Sequence, residues 1–335
     1  MLYMFFYFLL IKPSIFSGLM RKFGIEHIPN EWRLFTDASS SSLKGVLLHN
    51  GNRFPSIPIV HSVYLKENYK TVKQILEKIY YKFEWQFCGD FKIISLTLGQ
   101  QLGYTSYPCF LCLWNSRDDN NHYTDYEWPL RKELAKGDKN VENEPLINPQ
   151  KVLLPPLHIK LGLMKQFVKA LPKDGKTFAY IRSKFLKLSE AKVKAGVFVG
   201  PQIRKLMQDE EFETCMNRNE KRAWRSIKEV IENFLGNSKS TNYREIVANM
   251  CKNFKTLGCR MSVKVHFLFN HIDYFPENLG DLSEEHGERF HQDIKEFEKR
   301  YAGKWSTNFL ADYCWSLVRE TDNRQNKGLH FPLYD

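Results

Sequence analysis

The 335-residue sequence predicts an α/β fold: a mixed sheet carrying a large helical insertion between its fourth strand and a last helix. Three observations lead there. Short apolar runs separated by turn residues occupy the region from residue 32 to residue 61. One amphipathic helical pattern then precedes a fourth strand-like run. Beyond residue 150, helical periodicity dominates for about a hundred residues.

In chain order, Trp32 to Asp37 reads as a strand, Leu43 to Leu48 as a second, and His49-Asn50-Gly51 as a hairpin-type turn. Ser56 to His61 fits a third strand. From Tyr69 to Phe83, apolar residues at Val72, Ile75, Leu76, Ile79 and Tyr80 share one helical face. Phe83 to Asp90 returns to strand and ends in an acid. Past Gly103 come a Cys-containing loop and a polar, irregular stretch from Asn115 to Gln150. Residues 158–256 are mainly helical, with breaks expected at Pro172, Gly200-Pro201 and Gly236-Asn237. Val263 to His271 is apolar, and Ser283 is placed to cap a final helix. The division expected is a lead-in over 1–30, a first core part with the cysteines over 31–114 and the polar segment over 115–150. A basic helical insertion over 151–260 and a second core part over 261–335 complete it.

Apolar residues at 43% and charged residues at 26% exclude a largely disordered chain. The net charge of +11 is concentrated: residues 151–260 hold 23 Lys and Arg against 10 Asp and Glu, leaving the remainder near neutral. Such a block fits a polyanion, nucleic acid before membrane, or else a solvated lysine-rich surface. Seven cysteines, an odd number with one close pair, fit a reducing compartment better than a disulfide framework. The apolar run from Met1 to Ile11 is about half of what a membrane span requires. We expect it to be the lead-in of a truncated or mis-started gene, either accidental or a buried strand.

Two constellations carry chemistry. Cys109-x-x-Cys112 sets two thiolates on one side of a tight turn, and His266 and His271, five apart, face one point if their segment is helical. Two thiolates and two imidazoles suit Zn²⁺, and four protein ligands make the site structural. His122 and His158 are rival ligands, and loop thiols beside packed histidines are the plainer alternative. The second constellation is acidic. Asp37 lies within a strand, where a carboxylate is costly unless paired or metal-bound, and Asp90 ends the fourth strand. Either Glu285 or Glu288 on the last helix completes a set that could hold two Mg²⁺ or Mn²⁺ ions for phosphodiester chemistry. His286 and His291 lie near enough in sequence to touch a scissile phosphate, or else sit on the surface. Lys221, Arg222, Trp224 and Arg225 form the densest basic and aromatic cluster, able to meet a DNA backbone or stack on a base, or to form a solvated helix face.

The strand, helix and strand order from Glu31 to Asp90 resembles the opening of an RNase H-like fold. Over roughly residues 31–320, an Asp, a second Asp followed 19 residues later by Cys-x2-Cys, a helical insertion, His-x4-His and then Glu resemble the catalytic core of DDE transposases. The likeness is to the Transib and CACTA groups related to the V(D)J recombinase. The resemblance implies catalytic Asp37 and Asp90, with Glu288 favoured over Glu285 because Arg289 follows it. It implies structural Zn²⁺, catalytic Mg²⁺ or Mn²⁺, DNA as partner, a homodimer when active, a nuclear location and no membrane. Two alternatives stand beside it: a catalytically silent, zinc-stabilised DNA- or protein-binding remnant, and a cellular RNase H-like nuclease.

Overall fold

A computed structural model describes residues 3–5, 8–10, 18, 20–38, 43–62, 65, 67–79, 81, 84–124, 127–301 and 308–326. The chain divides into two compact units. Unit 1 takes Met1–Gly103, Leu134–Pro155 and Asp281–Asp335, and unit 2 takes Tyr104–Glu133 and Pro156–Gly280. The division differs from the expected one in grouping. The Cys-x-x-Cys loop belongs with the helices, and the second half of the polar stretch belongs with the sheet. Among the described residues no helix is long and apolar enough to cross a membrane.

Unit 1 is a mixed α/β unit built on a sheet of β1 (Tyr3–Phe5), β2 (Phe8–Leu10), β3 (Trp32–Ala38), β4 (Leu43–His49), β5 (Ile57–Ser62) and β6 (Gln86–Gly89). The strands lie in the order β1-β2-β5-β4-β3-β6. The apolar lead-in thus supplies β1 and β2, and β2 pairs antiparallel with β5. β3, β4 and β5 are antiparallel neighbours, while β6 is parallel to β3. A parallel partner needs a crossover, which here includes α1 (Tyr69–Lys78). The Asn68 side chain caps α1 by accepting from the Thr71 amide. Val72, Ile75 and Leu76 of that helix, with Ile79, face Leu34, Thr36, Leu43, Gly45 and Val60 on one side of the sheet.

After β6 the chain turns at Asp90 into α2 (Phe91–Thr97). Residues 139–153 then run back along this unit. Glu142 and Asn143 amides donate to the Gly99 carbonyl, and Val152 makes a parallel bridge with Phe87 of β6. The approach at Gly99 is close enough, with φ +71°, that a Cβ would lie 2.0 Å from the Asn143 oxygen.

The other face of β3 carries Arg33, Phe35 and Asp37, by the two-residue period of a strand. Arg33 is fully buried and donates to the His49 and Ser283 carbonyls and to the Asn50 and Asn52 side chains. Glu284, also fully buried, lies within its electrostatic reach. The last two helices of the unit, named after those of unit 2, are α11 (Glu285–Tyr301) and α12 (Asn308–Asn326). The Ser283 hydroxyl accepts from the Glu285 amide, but the cap position falls on Glu284, whose carbonyl accepts from the Glu288 amide, one residue later than expected. α11 lies against the Arg33 face through Gly287, where a Cβ would stand 2.3 Å from the Phe35 ring. Further along α11, Glu298 pairs with Lys44 and His61.

Unit 2 is helical. It comprises α3 (Pro156–Ala170), α4 (Lys176–Lys184), α5 (Glu190–Lys194), α6 (Gly200–Met207) and α7 (Glu210–Thr214). It continues with α8 (Arg218–Asn233), α9 (Tyr243–Leu257) and α10 (Val263–Asn270). The predicted breaks fall between α3 and α4, at the start of α6 and between α8 and α9. Asn217 and Glu220 form a capping box at the start of α8. Gly258, at φ +82°, ends α9 in the left-handed conformation. Trp224 of α8 is fully buried against Phe167 of α3 and Phe212 of α7.

Two outcomes test the seating of α11. Gly287→Ala is expected to destabilise unit 1 by about 1–3 kcal/mol, the usual cost of overpacking, in urea unfolding. The second concerns pH. Burial alone would raise Glu298, but hydrogen bonds from His61 and Lys44 hold its carboxyl down to about 2. Burial also lowers His61. Both folded-state values lie below the unfolded ones, so both contributions are present above the unfolded values and are lost on acidification, from about pH 6.5 towards pH 2. Glu298→Gln should flatten this acid limb by about 2 kcal/mol, read from stability measured across pH.

Candidate metal centre and acidic site

The candidate metal centre is built within unit 2 by two segments. The Cys loop is held flat by an antiparallel bridge between Cys112 and Leu130. The Arg131 side chain fixes it further, donating to the Cys109 and Tyr107 carbonyls at 2.9 and 3.1 Å. Within the turn the Leu111 amide donates to Cys109 Sγ at 3.4 Å, the type of contact that stabilises a thiolate. The second segment is α10, whose Ser262 N-cap accepts from the Val265 amide. His266 lies inside α10 and His271 is its C-cap residue, where the backbone leaves the helix at φ −129° and ψ 36°; both rings reach Cys112.

Ligand atoms of Cys109, Cys112, His266 and His271 lie within 4.8 Å of one another. Cys112 Sγ is 3.2 Å from Nε2 of both His266 and His271, and Cys109 Sγ is 3.5 Å from His271 Nε2. A tetrahedral Zn²⁺ with ordinary Zn–S and Zn–N bonds has S···N edges of about 3.5 Å. The donors therefore stand at the spacing such an ion imposes. The first three are fully buried. The Cys109 thiol and then the two imidazoles act by hydrogen bonding to hold the Cys112 thiol well below its usual range. Burial pushes the Cys109 thiol up. The indole of Trp114, itself fully buried, stacks on His266 with centroids 4.4 Å apart and planes 11° apart. This buried Cys2His2 cluster could hold a metal ion such as zinc, with four protein donors, the number of a structural zinc site. The rival His122 is hydrogen-bonded to the Asn115 carbonyl and faces Trp114, and among the described residues it is outside the ligand group.

The acidic residues lie in unit 1. The last β3–β6 pair is Thr36 with Gly89, so Asp37, still paired with Lys44 of β4, and Asp90, just past β6, each lie one residue beyond that pair on neighbouring strands. Both are already engaged. Asp90 Oδ1 caps α2 by accepting from the Ile93 amide at 2.7 Å, and Asp37 Oδ2 is 2.7 Å from Nδ1 of His291 on α11. Glu285 and Glu288 occupy the first turn of α11, half-buried, and the Glu288 amide donates to the Glu284 carbonyl. Among the described residues, Asp37, Asp90, Glu285 and Glu288 do not form a group of converging metal donors; the Cys/His cluster is the group that does.

Glu67 escaped the sequence reading, and His291, read as facing a phosphate or the surface, is instead buried. Glu67, immediately before the α1 cap, has a nearly buried carboxyl paired with Lys92. Burial raises it, Lys92 opposes that, and Asp90 and Asp37 both add to the rise, so it shares their field. His291 carries the contact of α11 with Asp37; its signal was the stripe Gly287, His291, Ile294, Glu298, spaced four, three and four. One assignment is corrected. Trp224 cannot stack on a base, because it is a core side chain of α8, while Arg222 and Arg225 are exposed and Lys221 half-buried on the same helix. Arg225 is paired with Glu213.

Comparison with known proteins gives two matches. Residues 9–147 are similar to a domain of unknown function (DUF8703), and residues 156–236 to a second (DUF8704). Each covers less than half of the chain. The first includes both cysteines of the cluster, and the second ends before both histidines. No curated protein matches.

The purified chain is expected to carry one zinc per molecule by elemental analysis, and none in Cys112→Ser or His266→Ala. Strong chelators should lower its stability by more than about 4 kcal/mol, the linkage expected when an ion is present at a thousand times its Kd.

Proposed function

We propose that the chain is the RNase H-like core of a transposon-derived DNA transposase or recombinase, acting on DNA phosphodiesters in the manner of a DDE enzyme. One observation carries the reading: Asp37 and Asp90 each follow the last pair, Thr36 with Gly89, of two neighbouring parallel strands. Those strands sit in a sheet ordered β5-β4-β3-β6, antiparallel through the first three. The parallel bridge of Val152 to β6 extends the same order by one more position. An open sheet of this kind places ligands at the carboxyl ends of its parallel strands. DNA is the partner this function requires, and unit 2 offers Lys221 and Arg222 for phosphate contacts. A homodimer and a nuclear location belong to the same proposal.

The ion that such chemistry calls for, Mg²⁺ or Mn²⁺, requires hard oxygen donors that converge. Asp37 and Asp90 each spend an oxygen on His291 and on the Ile93 amide. That observation favours a second reading, a catalytically silent, zinc-stabilised module that binds DNA or protein.

The experiment is an incubation of the whole chain with DNA bearing candidate terminal repeats, in Mg²⁺ and in Mn²⁺. The first reading expects nicking and joining that fall by more than about a hundredfold in Asp37→Ala and Asp90→Ala. Activity that survives both substitutions removes it, and hydrolysis with no joining points to a nuclease instead. Binding with no cleavage in either metal supports the silent module. In that case Lys221→Glu with Arg222→Glu should weaken binding and lower the salt slope by about one per lost phosphate contact. A chain that neither binds nor cuts DNA overturns the DNA readings altogether.

A further inference from the structure

α11 lays one stripe on the sheet of unit 1. Gly287 stands over Phe35, His291 reaches Asp37, and Glu298 meets Lys44 and His61. The side chain with which the helix meets Asp37 is therefore an imidazole. Its ring packs edge-on against Phe35 with centroids 5.8 Å apart, and its second nitrogen, Nε2, is buried without a hydrogen-bond partner.

At 2.7 Å, His291 Nδ1 and Asp37 Oδ2 are at the length of a charge-assisted hydrogen bond, about 2.7–2.9 Å. The Asp37–His291 contact is a pair closed on itself. Lys92 similarly occupies Glu67, the other carboxylate in the same field.

We propose that position 291 determines whether the Asp37–Asp90 pair takes a divalent cation, and that His291 withholds Asp37 from it. This rests on the second reading above, the silent module, in which the pair keeps the place of a phosphodiester site without its ions. An imidazole hydrogen-bonded to Asp37 adds no hard oxygen and ties up one that exists. A carboxylate at 291 would instead add a third oxygen donor beside Asp37, the type that Mg²⁺ and Mn²⁺ prefer.

The test titrates the zinc-loaded, full-length chain with Mn²⁺ and reads the free ion by electron paramagnetic resonance. His291→Glu should bind one further Mn²⁺ at least about tenfold more tightly than the wild type, as an added nearby charge would produce. The gain should vanish when Asp37→Asn is added. His291→Asn, which can keep the hydrogen bond, should behave as the wild type, and unfolding curves check that every variant is folded. If His291→Glu does not fold, His291→Ala serves, since releasing Asp37 should also tighten binding. Two results overturn the inference: binding in His291→Glu and His291→Ala that equals the wild type, or wild-type Mn²⁺ binding through Asp37 that is lost in His291→Ala, which would make the imidazole a ligand. A wild type that cuts no DNA while His291→Glu gains Mn²⁺ removes the active-enzyme reading and leaves this one standing. A wild type that cuts DNA through Asp37 and Asp90 while neither variant gains Mn²⁺ does the reverse.

Discussion

The seating of Gly287 on Phe35 is the contact on which the candidate site of unit 1 depends. A helix axis normally keeps 8–10 Å from its neighbour because side chains stand between them. At Gly287 nothing stands between, and α11 drops onto the strand. Its rotation and height are then fixed, since Arg33 holds the Ser283 carbonyl just before the helix and Glu298 is tied to Lys44 and His61 three turns later. With both ends anchored, the residue one turn after Gly287 has to face Asp37. That residue is His291.

The two candidate sites differ in how ready they are. In unit 2 the cluster is complete: four soft or borderline donors at the spacing of a tetrahedral ion, buried, with a thiolate already favoured at Cys112. In unit 1 the carboxylates are placed by the sheet but satisfied by protein groups, a hydrogen bond from a helix N-terminus at Asp90 and an imidazole at Asp37. Buried or half-buried carboxylates must find partners, and these have found them inside the protein.

How far the sequence could be read follows the range of the interactions. The strands around Asp37 and Asp90, the helix between them and the breaks in unit 2 depend on local periodicity and turn residues, and all were legible. The four candidate ligands were legible because a close Cys pair and a close His pair stand out in the sequence. Trp224 was misread because its basic neighbours outweighed its place on the stripe Glu220, Ala223, Trp224, Ile227, Val230 and Ile231, the buried face of α8. Greater weight on that spacing would have placed it in the core. The nearness of His291 to the acids was legible, but its pairing with Asp37 was not, since that depends on a close approach that only the partner strand reveals. The same holds for Glu67, whose neighbours Asp37, Asp90 and Lys92 come from three other elements. The grouping of the Cys loop with unit 2 likewise depended on ring contacts of Phe110 with Phe267 and of Trp114 with His266.

The sequence distance across the metal cluster also sets a clock. Cys112 and His266 are 154 residues apart. At synthesis rates of about 5–20 residues per second, the thiols leave the ribosome roughly 8–30 s before their imidazole partners. During that interval they form only half of a binding site, open to oxidation or to capture by other thiols and metals. The completed cluster thus records a vulnerable period in the life of each molecule, one that a reducing environment during translation would protect.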